Sequence, residues 1–251
     1  MNRNLNIKVI GSYLSPYVRK VLVCLDLKGL SYEIDPIVPF FGNHEFEQLS
    51  PLRRIPVLVD GENAIADSTV ICEYLEDAYP DNPLMPSTAK DKSRARWLEE
   101  FADSRLGEVL IWHLYNQLVI RRFVWGLPPE EAVLSKAINE EIPHLMAYLE
   151  SQLPGQGYLF GHLSVADIAI ASFFRNAEFA RYSFDAEKWP ITTRYVDSIL
   201  NIPSFKALVE FESVCLKVPI EKHRDALKKA GAPIARETLG TGQARPGILS
   251  L

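Results

Sequence analysis

The chain has 251 residues, 47% of them apolar and 24% charged, with a formal net charge of −5. Those values suit a soluble globular protein of one large domain or two ordinary ones, able to bury a core without disulfides or a structural metal. The mild negative charge argues against nucleic acid as a partner, since such binders normally show a basic face.

Cys24, Cys72 and Cys215 are far apart and odd in number, and no two form a Cys-x-x-Cys pair. That argues against a full disulfide framework and for a reducing compartment. Met1-Asn2-Arg3-Asn4 leads into a strand-like run rather than an apolar signal segment. No stretch approaches the ~18 apolar residues that a membrane span needs. The expectation is a cytoplasmic protein without a membrane partner.

In chain order, Ile7-Lys8-Val9-Ile10 reads as a short strand and residues 11–15 as a polar turn. Pro16 then opens a helix, at the position where a missing N–H costs nothing. Val18, Val21, Leu22, Leu25 and Leu27 recur at roughly helical spacing, and Gly29 closes the helix. Residues 32–38 predict a second strand, and 43–49 a short helix or an irregular turn. Ile55-Pro56-Val57-Leu58-Val59 predicts a third strand, Asp60-Gly61 a hairpin turn, and Ala64-Ile65-Ala66 the return strand. Ser68 starts a helix with Val70, Ile71, Tyr74 and Leu75 on one face, ended by Tyr79-Pro80-Asp81-Asn82-Pro83. The order is β-α-β followed by β-β-α.

The pattern then turns helical. Residues 89–120 predict one long helix or two, Pro128-Pro129 breaks the run, and 154–163 is a Gly-rich loop. Helical segments resume at Ser164 and continue to about residue 229. The remainder is rich in Gly, Pro, Ala and Thr. The expected division is a small α/β domain at 5–80, an all-helical domain at 89–230 and a flexible tail at 231–251.

Four short features carry chemistry. In Ser15-Pro16-Tyr17-Val18-Arg19-Lys20-Val21 a hydroxyl stands just ahead of a helix N-terminus. Unpaired N–H groups and the helix dipole favour negative charge there, so a thiolate would be stabilised. A plain helix cap is the competing reading. In Arg53-Arg54-Ile55-Pro56-Val57-Leu58, Pro56 is either an edge-strand proline or a cis-proline that exposes the Ile55 backbone to an extended ligand. Asp67-Ser68 precedes the third helix, where a carboxylate could be held and Asp67 could receive an ammonium; a cap is again the alternative. Ser164-Val165-Ala166-Asp167 is a capping box flanked by Leu163 and Ile168, with a structural role.

Taken together, in this order and spacing, the four features resemble the cytosolic glutathione transferase family over roughly residues 5–220. Ser15 to Lys20 is similar to the family's S/C-P-[YF]-x-x-[RK] entry. Residues 50–58 resemble its N-P-x-x-x-[VI]-P-x-L segment. Asp67-Ser68 resembles its Glu-Ser pair, and Ser164 to Asp167 the box that starts its buried C-terminal helix. The resemblance implies a thioredoxin-like N-terminal domain joined to an all-α C-terminal domain, glutathione as co-substrate, no metal, and a homodimer. It implies Ser15 as thiol activator, as in the serine-type, bacterial-like members. Glutathione would then lie against Arg53, Arg54, Ile55, Pro56, Asp67 and Ser68. Pro56 would be cis, and Arg53 or Arg54 would reach the glycine carboxylate. Tyr13 and Ser12 are fallback activators.

Three departures from the family pattern stand out. Ser50-Pro51 replaces Asn-Pro, Asp67 is one methylene shorter than Glu, and Ser15 stands where omega-type members carry cysteine. Cys24 reads as a core residue. The helical domain would hold an electrophilic small molecule, with Trp112, Tyr115, Phe123 and Trp125 as pocket candidates and core packing as their bland alternative. His113 reads as structural, and Arg121-Arg122 as a solvated pair. The implied function is a glutathione transferase of the detoxification type. A non-catalytic binding or regulatory protein, or a carrier of apolar ligands, is possible on the same fold.

Overall fold

The computed structural model describes residues 7–245. Residues 5 and 6 of the expected first domain, and 246–251 of the expected tail, lie outside the described residues. Packing groups the chain into two compact units. One runs to Pro83 and takes up the chain again from Pro203; the other is Leu84–Ile202.

The first unit is built on a four-stranded sheet of β1 (Ile7–Ile10), β2 (Tyr32–Asp35), β3 (Val57–Asp60) and β4 (Asn63–Ala66), in the order β2-β1-β3-β4. β1 and β2 are parallel; the β1–β3 and β3–β4 pairs are antiparallel. The expected strand at 32–38 ends early at Asp35, where Pro36 removes the next backbone donor. Ile10 pairs with Val57, and Val57 with Ala66. These three pack with Ile37 and Phe46 on one face of the sheet. The alternate row of Val9, Ile34 and Leu58 points to the other face and is fully buried.

Helix α1 (Pro16–Leu27) begins on its proline and ends at Lys28, with Gly29 in the left-handed region. Residues 43–49 form a true helix, α2 (His44–Leu49), because the Asn43 side chain accepts the Phe46 N–H at 2.9 Å and caps it. α3 (Ser68–Ala78) packs on α1. Cys24 of α1 and Cys72 of α3 are both buried, with sulfurs 3.7 Å apart, so Cys24 is the core residue that its place on the helix suggested.

Two late helices belong to this unit as well. They are α10 (Pro203–Lys217) and α11 (His223–Lys229), which the sequence grouped with the helical domain at 89–230. α10 lies on α1. The Arg19 guanidinium donates to Glu212 at 2.6 Å with both side chains buried, and the Tyr13 and Phe211 rings meet at 5.0 Å. The segment after α11 has a loop composition, yet its residues 233–245 are hydrogen-bonded along the β2 edge and the residues that follow it. Composition reports the absence of a helix there; it does not report the backbone partners that the open edge supplies.

The second unit is helical. Its first helix, α4 (Ala89–Phe101), is capped by Thr88. It continues as a wide π-helical stretch, Ala102–Ile120, into α5 (Arg121–Phe123). At the end of that stretch the Arg121 N–H reaches the Asn116 carbonyl, five residues back. After α6 (Glu131–Lys136) and a short π turn come α7 (Ile142–Gln152), α8 (Val165–Phe179) and α9 (Pro190–Leu200). α8 is the core helix, buried without interruption from Val165 to Phe174. Its capping box is present. Asp167 accepts the Ser164 N–H at 2.8 Å, the Leu159 N–H at 3.0 Å and the Tyr195 hydroxyl at 2.6 Å. Burial, then the Asp167 charge and hydrogen bond, hold the Tyr195 phenol far above its usual pKa. Asp167 is thus a buried structural hub.

Candidate functional site

The strand register gathers the expected site residues. Ile10, Val57 and Ala66 pair across three adjacent strands at one end of the sheet. The chain leaves that end into the turn to Ser15, arrives there through Pro56, and leaves again into Asp67-Ser68. Gly11 makes the close approach possible. A Cβ at this position would sit 2.5 Å from Val18 Cγ2 and 3.3 Å from Ile55 Cβ, and its φ is +154°.

Ser15 caps α1. Its Oγ accepts the Val18 N–H at a long 3.4 Å, and the residue is half-buried. A hydroxyl has one proton to donate and two lone pairs to accept with, so capping leaves the proton for a ligand. The two readings of Ser15 are therefore compatible. The fallback residues are less well placed. Tyr13 is 1% exposed, packed on Phe211, and burial followed by the neighbouring Tyr32 pushes its phenol pKa far up. Ser12 is buried and accepts the Leu14 N–H at 3.2 Å.

The Ile55–Pro56 bond is cis. Neither the N–H nor the C=O of Ile55 has a backbone partner among the described residues, which leaves both for an extended peptide. Ser50, one of the departures from the family pattern, organises the approach. Its buried hydroxyl donates to the Arg54 carbonyl at 2.8 Å and accepts the Arg54 N–H at 3.0 Å. Arg53 adopts a positive φ of 51° and turns inward, its Nε 3.4 Å from Glu47. Arg54 is exposed.

Asp67 holds a φ of 82° and caps α3 through one oxygen, which accepts the Thr69 N–H at 2.9 Å and the Val70 N–H at 3.3 Å. Ser68 is buried at the helix start. Beside it, the buried Lys20 of α1 donates to the Thr69 hydroxyl at 3.2 Å. The N-terminus of α3 favours an anion here. Helical spacing alone did not single out Lys20, because its neighbour lies 49 residues away in sequence.

In the second unit Tyr115 is buried against Phe179, with ring centroids 6.5 Å apart; its place is in the core. Trp112 and Phe123 are exposed and Trp125 is half-buried. His113 lies 2.6 Å from Glu141. Partial burial raises the Glu141 pKa, but His113, Arg105 and Lys136 outweigh it and hold it below the usual range. Arg121 is tied to Glu130 at 2.7 Å and is not a freely solvated cation. Among the described residues no cluster of three metal-ligating side chains occurs. None of the described helices is long and apolar enough to cross a membrane.

Comparison with known proteins places this geometry. The model of the glutathione S-transferase N-terminal domain matches residues 9–83, and that of the C-terminal domain matches residues 120–211. A glutathione S-transferase of Triticum aestivum is 30% identical over 200 residues, covering 78% of this chain and 90% of its own. Glutathione S-transferase U7 of Arabidopsis thaliana is 29% identical, covering 84% and 90%. The crystal structure of a glutathione S-transferase from Rhodospirillum rubrum F11 superposes with a TM-score of 0.76 at 26% identity, over 88% of this chain and 99% of that one. With both domain models matched and a relative 30% identical over most of its own length, the chain belongs to the glutathione S-transferase family.

Proposed function

We propose that this chain, a glutathione S-transferase, works as a serine-type enzyme in which Ser15 ionises the bound glutathione thiol for attack on an electrophilic small molecule. The observation that carries the reading is the Ser15 hydroxyl, half-buried at the N-terminus of α1 with its proton uncommitted by the cap. A free thiol has a pKa near ~8.5, so only a small fraction is thiolate at neutral pH. A hydroxyl donor and a helix N-terminus both favour the thiolate, and each unit of pKa depression corresponds to ~1.4 kcal/mol.

The other residues hold the tripeptide. The Ile55 backbone pairs with its cysteinyl part, strand-fashion. Asp67 receives the γ-glutamyl ammonium, while the start of α3 at Ser68 receives the carboxylate. Arg53 reaches the glycine carboxylate. The second unit selects the acceptor, and the exposed Trp112 and Phe123 are the first residues to vary for it. No metal enters this chemistry. The reading extends to a cytoplasmic homodimer serving detoxification, its assembly state open to sedimentation analysis.

The test follows the ultraviolet absorbance of the bound thiolate against pH in the wild type and in Ser15→Ala. The expected result is a thiol pKa depressed in the wild type and raised by about one unit or more in the variant, with kcat falling about tenfold or more near neutrality. An unchanged pKa in Ser15→Ala removes Ser15 from the role.

A further inference from the structure

The segment that follows α11 is fastened to the glutathione-binding unit at both ends and along its length. It begins beside β2, where the Ile34 N–H donates to the Pro233 carbonyl at 2.7 Å and the Ala235 N–H to the Ile34 carbonyl at 2.9 Å. Asp35, 1% exposed, is the central fastening. It pairs with Arg224 at 3.1 Å and accepts the Leu239 N–H at 2.7 Å. Arg224 also donates to the Ala235 and Arg236 carbonyls. The Leu239 side chain packs on the cluster of Ile10, Ile37, Phe46 and Val57, directly behind the strand that follows the cis-proline. Beyond it the chain runs antiparallel to residues 40–43. The Asn43 N–H donates to Leu239, the Thr241 N–H to Phe41, and the Arg245 N–H to Phe40.

The segment delivers Arg245 beside Arg53. Both guanidinium groups reach the same oxygen of Glu47, Arg245 at 3.0 Å and Arg53 at 3.4 Å. Arg53 also donates to the Arg245 carbonyl at 3.5 Å, and the Arg245 side chain donates to the Gly42 carbonyl. Taken alone, Glu47 would neutralise Arg53 and compete for it with any incoming carboxylate. Arg245 shares the Glu47 oxygen with Arg53, so that carboxylate is drawn to two guanidinium groups rather than held by Arg53 alone, which favours an anionic ligand beside them. The carbonyl of Arg245 also limits where the Arg53 side chain can turn.

We propose that Arg245 is a positioning residue for glutathione, holding Arg53 and offsetting Glu47 so that the glycine carboxylate is bound. This rests on the glutathione reading above. The occupant is a peptide carboxylate at the glycine end, so the dipeptide γ-glutamylcysteine, which lacks that glycine, should not sense Arg245.

The experiment measures Kd by calorimetry for glutathione and for γ-glutamylcysteine with the full-length wild type, Arg245→Met and Arg245→Lys, and KM and kcat for glutathione beside them. The expected result is a Kd for glutathione about threefold to tenfold weaker in Arg245→Met, carried by KM rather than kcat, with partial recovery in Arg245→Lys. The dipeptide should change by less than about twofold. Equal losses for both peptides would mean general loosening of the unit and would overturn the proposal. So would an unchanged or tighter glutathione Kd in Arg245→Met. Wild type that binds neither peptide would instead overturn the glutathione reading itself, and this proposal with it.

Discussion

On the proposed reading, Ser15 would serve local structure and chemistry together. The cap uses a lone pair and the reaction would use the proton, so the helix that Ser15 starts is also the source of the field that would stabilise the thiolate. Gly11 is the residue that sets the distance. Its neighbours leave no room for a methyl group, and the +154° φ suits glycine alone. Gly11→Ala should therefore destabilise the protein by about 1–3 kcal/mol in thermal or denaturant melts and weaken glutathione binding, by pushing Val18 and Ile55 apart. A variant of wild-type stability would contradict the packing described for this turn. Ser50 is a further case. Its hydroxyl closes two hydrogen bonds onto the Arg54 backbone and so organises the approach to the cis-proline, in the place where the family pattern has asparagine.

At the scale of elements, helix starts are secured by side chains from near and far. Thr88, Asn43, Asp67 and Ser164 cap their own helices, and all four stand at the start of a helical pattern in the sequence. α9 is different, because its start is held by Glu150 of α7. The Glu150 carboxylate accepts the Ile191 N–H at 2.8 Å, the Thr192 N–H at 2.9 Å and the Thr192 hydroxyl at 2.7 Å. Slight desolvation raises its pKa, but these bonds and nearby Arg194 outweigh it and hold it below the usual carboxylate value. A lowered folded pKa stabilises the fold above the ordinary value and loses that contribution as pH falls through the folded one. Glu150→Gln should thus melt below wild type near pH 7, with the gap closing as the pH falls to about 3. A gap constant with pH would mean that the charge of Glu150 contributes nothing.

For the whole molecule, the chain's return to its first unit is the main feature. α10 and α11 and the segment to Arg245 close over elements formed some two hundred residues earlier, through the Arg19–Glu212 pair, the Asp35 fastening and Leu239. Leu239→Ala should lower stability by about 1–2 kcal/mol, less than a fully buried leucine because the side chain is only partly covered. Thermal melts check this. A loose tail would give no change.

The sequence by itself determined what local rules govern. The strand–helix order, the proline and glycine punctuation, the capping residues and the resemblance that located Ser15, Pro56 and Asp67-Ser68 were all legible, because each depends on neighbours within a few positions. Only the tertiary structure decided the rest. It assigned Tyr115 to the core, tied the proline isomer to a loop organised by Ser50, and brought Lys20 under α3. It also set Arg245 against Glu47 and Arg53. Those outcomes depend on partners that no periodicity or spacing connects, chosen by which edges and charges the folded sheet leaves to be covered.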